Sequence, residues 1–154
     1  MIQKSVGSAT TSRSVDTILC LSIRQPYAMW LSNPALFEIA GIPPKIIENR
    51  EWTTPYRGQI LIHASKTFED GALEYWRRVF PLLPDVMPGT KERYPTGAIV
   101  GIADLVDVIW QSNDPWFVGS YGFVLANARP LKPIPYRGQL KFFPVEKSLI
   151  EERS

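Results

Sequence analysis

Fourteen prolines are scattered along this 154-residue chain, from Pro26 to Pro144. That is nearly twice the usual share of ~5%. Each one fixes φ and removes a backbone donor, so a helix ends or kinks there and a central strand avoids it. The prolines are dispersed rather than clustered, so they cut the chain into short pieces. A small, irregular, β-rich fold is favoured over a helical bundle.

The length suits one domain with one core. Hydrophobic residues make up 45% and charged residues 21%, a globular rather than a disordered balance. One cysteine excludes an internal disulfide framework, and one histidine with one cysteine excludes a clustered soft-ligand zinc site. No metal or other cofactor is expected. A Ser-His-Asp mechanism could use only His63. The net charge of +2, from 17 basic and 15 acidic residues, is too balanced for a bulk electrostatic nucleic-acid binder. Any phosphate contact must come from a local patch. No apolar run approaches the ~20 residues of a membrane helix, and the N-terminus lacks the apolar core of a secretory signal. A cytoplasmic protein without a membrane partner is the expectation.

The pattern divides the chain into a polar N-terminal arm (1–16), a domain (17–145) and a charged, exposed C-terminal tail (146–154). Strands are expected at 17–23 (TILCLSI), 45–50 (KIIENR), 59–64 (QILIHA), 97–110 (GAIVGIADLVDVIW), 121–126 (YGFVLA) and 140–145 (LKFFPV). Residues 25–40 read as two short helices separated at Pro34 and closed by Gly41. Residues 69–83 carry Leu73, Trp76, Val79, Phe80 and Leu83 on one helical stripe, with Asp70 as a candidate cap. Strands and helices do not alternate regularly. The expected class is therefore α+β: a small, bent β-barrel of about six mainly antiparallel strands with two or three flanking helices. The pentapeptide PYRGQ occurs at 55–59 and again at 135–139, each time entering an apolar run.

Several residues are candidates for chemistry. Residues 45–52 (KIIENREW) concentrate Lys45, Glu48, Asn49, Arg50 and Trp52. On a regular strand Glu48 and Arg50 share one face, and Lys45 needs a bulge or a loop position to meet Glu48. The same charges would also suit a solvated strand edge. Asp104 alternates with Val100, Ile102, Val106 and Val108, so it should be partnered, with Arg50 or Arg24 as candidates, or open into a cleft. His63 alternates with Leu61 and Ser65, and is expected either to face the charged strand's cleft or to be a satisfied structural side chain. Trp30, Trp76 and Phe80 belong to the core. Tyr27, Trp52 and Tyr121 are the realistic stacking surfaces, and single-stranded nucleic acid needs such flat faces beside cations.

The blocks LSIRQPYAMW, KIIENREWTTPYRGQILIHASK, YPTGAIVGIADLVDV and GSYGFVLANARPL, in this order, resemble ASCH domains, the activating-signal-cointegrator homology group of the PUA-like superfamily. The resemblance runs from about Leu19 to Val145. It rests most on SIRQP and on the G-x-K-x-x-E-x-R pattern, whose glycine is displaced here because Ile42, Pro43 and Pro44 separate Gly41 from Lys45. The resemblance implies a small barrel with a cleft at one side and nucleic-acid binding, mostly of RNA. Some small bacterial members look like amide hydrolases of acylated cytidines, and nuclease activity has been proposed for others. It lines the cleft with Ser22, Arg24, Gln25, Lys45, Glu48, Arg50, Trp52, His63, Ser65 and Tyr121. In the hydrolase members a hydroxyl residue stands where this chain has Glu48.

Three functions are compatible with these residues. The leading one is a module that binds RNA, single-stranded DNA or a modified nucleotide. Lys45, Arg24 and Arg50 would hold phosphate or a base edge, Trp52 or Tyr121 would stack, and Glu48 with Gln25 would read donors. The second is an N-acyl nucleoside amidohydrolase with catalytic Lys45 as base and Glu48 activating water. The third is a protein-interaction domain whose cleft is a relic. A Glu48–Asp104 pair could hold Mg²⁺ if the two carboxylates meet.

Overall fold

A computed structural model describes residues 16–153. All but the last residue of the expected N-terminal arm lies outside them. The elements are β1 (Thr17–Gln25), α1 (Tyr27–Ser32), α2 (Pro34–Ala40), β2 (Ile47–Arg50), β3 (Gly58–Phe68), α3 (Ala72–Val79), β4 (Ala98–Ile109), β5 (Tyr121–Pro135), β6 (Phe142–Glu146) and α4 (Lys147–Arg153). Two 3-10 turns, at Leu83–Asp85 and Lys91–Arg93, occupy the long connection before β4.

The six strands form one mixed sheet in the order β2-β5-β4-β3-β1-β6. β1 runs parallel to β3, with Leu21 beside Ile62 and Ser22 beside His63. The other pairings are antiparallel. A parallel pair needs a long crossover, and here α1, α2 and β2 supply it. The α+β class holds, but the sheet is open. β2 pairs only with β5 and β6 only with β1, so the closed barrel expected from the sequence does not form. These edge strands are four and five residues long, too short to supply the staggered ladder that closure requires.

Both faces of the sheet are covered. Leu21, Ile23, Ile60, Ile62, Ala64, Phe123 and Leu125 pack with Ala28 and Leu31 of α1 on one side. Cys20, Leu61, Ile99, Ile134, Phe143 and Val145 pack on the other. The alternation along β3 thus reads as expected. Along β4 it fails, because register shifts interrupt the β4–β5 ladder between Ile99 and Gly101, Ile102 and Asp104, and Leu105 and Asp107. Where the extra residue lies in β4, as at Val106, the side chains that follow turn to the other face. Val106 is therefore 48% exposed while Val108 is buried. Asp104 is only half-buried. Its partner is not an arginine: Asn127 Nδ2 donates to Asp104 Oδ2 at 2.9 Å.

Pro34 opens α2 and Gly41 closes it in the left-handed region, φ 72°, as those residues favour. α1 lies close on the sheet. A Cβ on Gly101 of β4 would stand 2.1 Å from Ser32 Oγ, so only glycine fits there. α3 is shorter than its apolar stripe suggested. Gly71, not Asp70, occupies the N-cap, and Val79 is exposed. The charged end of the chain is helical: Glu146, Lys147 and Ser148 are exposed, while Ile150 of α4 is buried with the second core face. A third, aromatic cluster gathers Trp30, Phe37, Trp76 and Trp116 beside the sheet, with Phe80 partly buried against it. Trp116 anchors this cluster. It lies 4.3 Å from Trp76 and 4.9 Å from Phe80 between ring centroids, and its Nε1 donates to the Pro43 carbonyl.

Candidate functional site

The crossover brings β2 to the end of β1, and a cleft of about 560 Å³ opens between them. Six of the sequence-derived residues line it: Ser22, Arg24, Glu48, Arg50, Trp52 and Ser65. Tyr27, Asn49, Glu51, Glu69, Val118 and Gly119 complete its polar and outer walls, together with Ile23 and Trp76. Glu48 and Arg50 share a strand face as expected. Arg50 Nε stands 3.0 Å from Glu48 Oε2, but off-line, so that buried N–H has no aligned acceptor. Arg50 Nη2 donates to the Ser22 carbonyl at 2.7 Å, tying β2 to β1. Asn49 faces the other way. Its amide donates to the Trp116 carbonyl and accepts from Val118 N, each at 3.0 Å, which pins the 111–120 loop as the far wall. Ser120 Oγ donates to Glu51 Oε1 on the same wall.

The second arginine is also committed. Arg24 Nη2 stands 3.2 Å from Glu69 Oε1, and Tyr27 Oη donates to the other oxygen of Glu69. Trp76 Nε1 donates to Tyr27 Oη at 3.2 Å. Burial and then the Glu69 contact push the Tyr27 phenol well above its ordinary range, so it stays a neutral donor. The cleft is thus lined by two guanidiniums and three carboxylates, Glu48, Glu51 and Glu69. Trp52 stands half-buried at its edge, packed edge-to-face on Phe123 and Phe142, with Lys141 Nζ 5.4 Å from its ring.

Four residues that the ASCH resemblance placed in the cleft, Lys45, Gln25, Tyr121 and His63, fall outside it, as does Asp104. Lys45 is 2% exposed and lies behind the wall. Its Nζ donates to the Ile47 carbonyl and stands 5.1 Å from the Tyr27 ring and 5.5 Å from that of Trp116. Burial pushes its ammonium down to about 8, although Glu48, Asp114 and Glu69 pull it back up. Gln25 is fully buried and serves the backbone, donating to the Pro95 carbonyl and accepting from Met29 N. Tyr121, opposite Arg50 in the ladder, packs on the core. Asp104 lines no part of the cleft that Glu48 lines, so that cleft does not join the pair considered for Mg²⁺.

His63 belongs to a second cleft of about 740 Å³, which meets the first at Ser22 and Ser65. Its Nε2 lies 2.7 Å from the Tyr136 carbonyl, which can only accept, so the proton sits on Nε2. Nδ1 then accepts from Ser22 Oγ at 2.9 Å. Burial lowers the His63 pKa and favours this neutral form. With its proton given to His63, Ser22 Oγ is left to act as an acceptor. Gly138, from the second PYRGQ, closes over the pair. A Cβ there would stand 2.7 Å from the His63 ring and 3.0 Å from Ser22 Oγ.

The sequence had no signal for Glu69 or the 111–120 wall, which come from separate connections, and Glu51, inside KIIENREW, was passed over. His63, Ser22 and Ser65 were the sequence-derived residues that mark the other cleft, and the second PYRGQ, read only as a strand entry, supplies Arg137, Gly138 and Gln139 to it.

An open, bent mixed sheet with flanking helices and a polar cleft beside its parallel pair makes this an α+β domain. The chain is 32% identical over 93 residues to activating signal cointegrator 1 of Homo sapiens, and equally to that of Mus musculus. Each match covers 60% of this chain but only 14% of the relative's length. Among solved structures it is similar to ASCH from Zymomonas mobilis, at 13% identity and TM-score 0.48, covering 87% of this chain and 91% of that one. A mutant of that protein compares similarly, at 12% identity and TM-score 0.48 over 89% and 96%. The activating-signal-cointegrator resemblance read from the sequence is thus met in the curated relatives. No family model matches the chain.

Proposed function

We propose that this protein is a nucleic-acid-binding module that takes one unstacked base of an RNA or DNA single strand into the first cleft. The observation that carries this reading is the pairing of a half-buried indole, Trp52, with charge-paired donors and acceptors, Glu48–Arg50 and Arg24–Glu69, in one open cleft. A base needs a flat face to stack on and edge groups to meet donors and acceptors. Because each arginine already faces a carboxylate, the cleft suits neutral base edges better than phosphate. The volume falls within the usual ~300–1,000 Å³ of ligand pockets. The ASCH resemblance carried by the sequence motifs implies the same class of ligand. The experiment is a fluorescence-anisotropy titration of labelled single-stranded ribo- and deoxyribo-hexamers of mixed sequence at low salt. Saturable binding is expected; its absence for both hexamers would refute the reading.

The amidohydrolase alternative has one observation in its favour, the Lys45 amine at about 8, a value useful for a general base. Geometry weighs against it. Nζ is directed to a backbone carbonyl behind Tyr27 and Trp116, and Lys45 is not on the cleft wall. Chromatographic assay with N-acetylcytidine should therefore give no product.

A further inference from the structure

The second cleft differs in charge from the first. Lys66 and Arg137 stand on its rim, with Gln139, Ser22, Ser65 and His63 on its walls, and no carboxylate among the described residues lines it. Among the described residues neither Lys66 nor Arg137 has an ion-pair partner, and both are exposed. The first cleft, by contrast, carries three carboxylates against two arginines. The two clefts meet at Ser22 and Ser65, which lie on the neighbouring parallel strands β1 and β3. A base and the phosphate of an adjoining nucleotide are joined through a sugar, and this junction offers the sugar a place between them.

We infer that the second cleft is a phosphodiester subsite, with Lys66 and Arg137 holding backbone phosphate of the strand whose base occupies the first cleft. This rests on the base-binding reading above and deepens it. The ligand is a strand of at least two nucleotides rather than a free nucleoside. Phosphates are recognised by unpaired cations and hydroxyl or amide donors. The second cleft has both, whereas the arginines of the first are engaged by their own carboxylates. The bulk charge of +2 does not argue against this, because two local cations suffice for two contacts. The second PYRGQ acquires a role here. Gly138 lets the chain close on His63 and Ser22, and the preceding residue, Arg137, is carried to the rim.

The test uses the full chain, its Lys66→Ala/Arg137→Ala and Lys66→Glu/Arg137→Glu double variants, and Trp52→Leu. All are titrated with the labelled ribo-hexamer over a series of KCl concentrations. Both cations are exposed and unpaired, so the double variants should fold, as circular dichroism would check. The alanine pair should bind more weakly, and its log K against log salt slope should be shallower by about 1.4, from ~0.7 per phosphate on a single strand. The glutamate pair should bind more weakly still. If wild type binds and Trp52→Leu weakens it while both double variants keep wild-type affinity and slope, the subsite is overturned and base binding stands. If wild type binds no hexamer at low salt, both ideas fall together.

Discussion

Lys45 offers a quantitative check that needs no ligand. Its side chain is buried, its ammonium is flanked by the rings of Tyr27 and Trp116, and burial lowers its pKa from an ordinary 10.5 to about 8. Below about 8 the amine is charged in both folded and unfolded chains, and the folded state bears the full cost of burying that charge. Between about 8 and 10.5 the unfolded chain holds one more proton than the folded one, so stability rises with pH. Above 10.5 both are neutral and the cost is gone. The slope in that window is ~1.4 kcal/mol per pH unit. Integrated from about pH 7 to about pH 9.5, the gain is roughly 2 kcal/mol. Lys45→Met removes the titration while keeping a long, apolar side chain. Urea unfolding of both proteins across this range isolates the effect, because other groups cancel in the difference. Wild type should gain about 2 kcal/mol relative to Lys45→Met as pH rises. A difference that stays flat, or that falls, would show that the amine is hydrated and not enclosed behind the cleft.

Other consequences can be checked in the same way. Trp52→Leu should weaken hexamer binding by ~1–3 kcal/mol, the usual worth of a stacked base, in an anisotropy titration. Because Ser22 Oγ is left to act as an acceptor, a ribo-hexamer, with its 2′-OH donors, should bind more tightly than its deoxy counterpart. Ser22→Ala should remove that preference. Gly101→Ala places a methyl 2.1 Å from Ser32 Oγ and should destabilise by ~1–3 kcal/mol in urea unfolding. Asn49→Ala removes both bonds that hold the 111–120 loop. It should cost ~1–3 kcal/mol and speed limited proteolysis within that loop.

The parts of this molecule that were legible in the sequence are those set by local chemistry. Pro34 and Gly41 bounded α2 because their backbone preferences do not depend on distant contacts. Ile60, Leu61 and Ile62 took their expected faces because β3 runs in regular pairing with β1 through that stretch. Asp104 was misread because bulges in the β4–β5 ladder are not visible as a change in residue type. Lys45 was rightly placed near Glu48 in sequence but wrongly on the cleft wall. Its long side chain reaches back to Ile47 O beneath two aromatic rings supplied by other elements. Closure of the sheet was overestimated because the number of strands says nothing about the length of the edges. The division of charge between two clefts was invisible because it depends on ion pairs between distant positions. Arg24 finds Glu69 across 45 positions of chain, and no local pattern announces that neighbour.

The most direct test of the binding groove is a ¹H–¹⁵N correlation spectrum recorded while the unlabelled ribo-hexamer is added. Strand binding across the two clefts predicts shifts at the Trp52 indole N–H and at the amides of Ser22, Ser65, Lys66, Gly119 and Gly138, with the buried Trp30 and Trp116 indoles little changed. Shifts confined to another surface, such as the α2 or α4 face, or a spectrum unmoved by saturating hexamer, would contradict it.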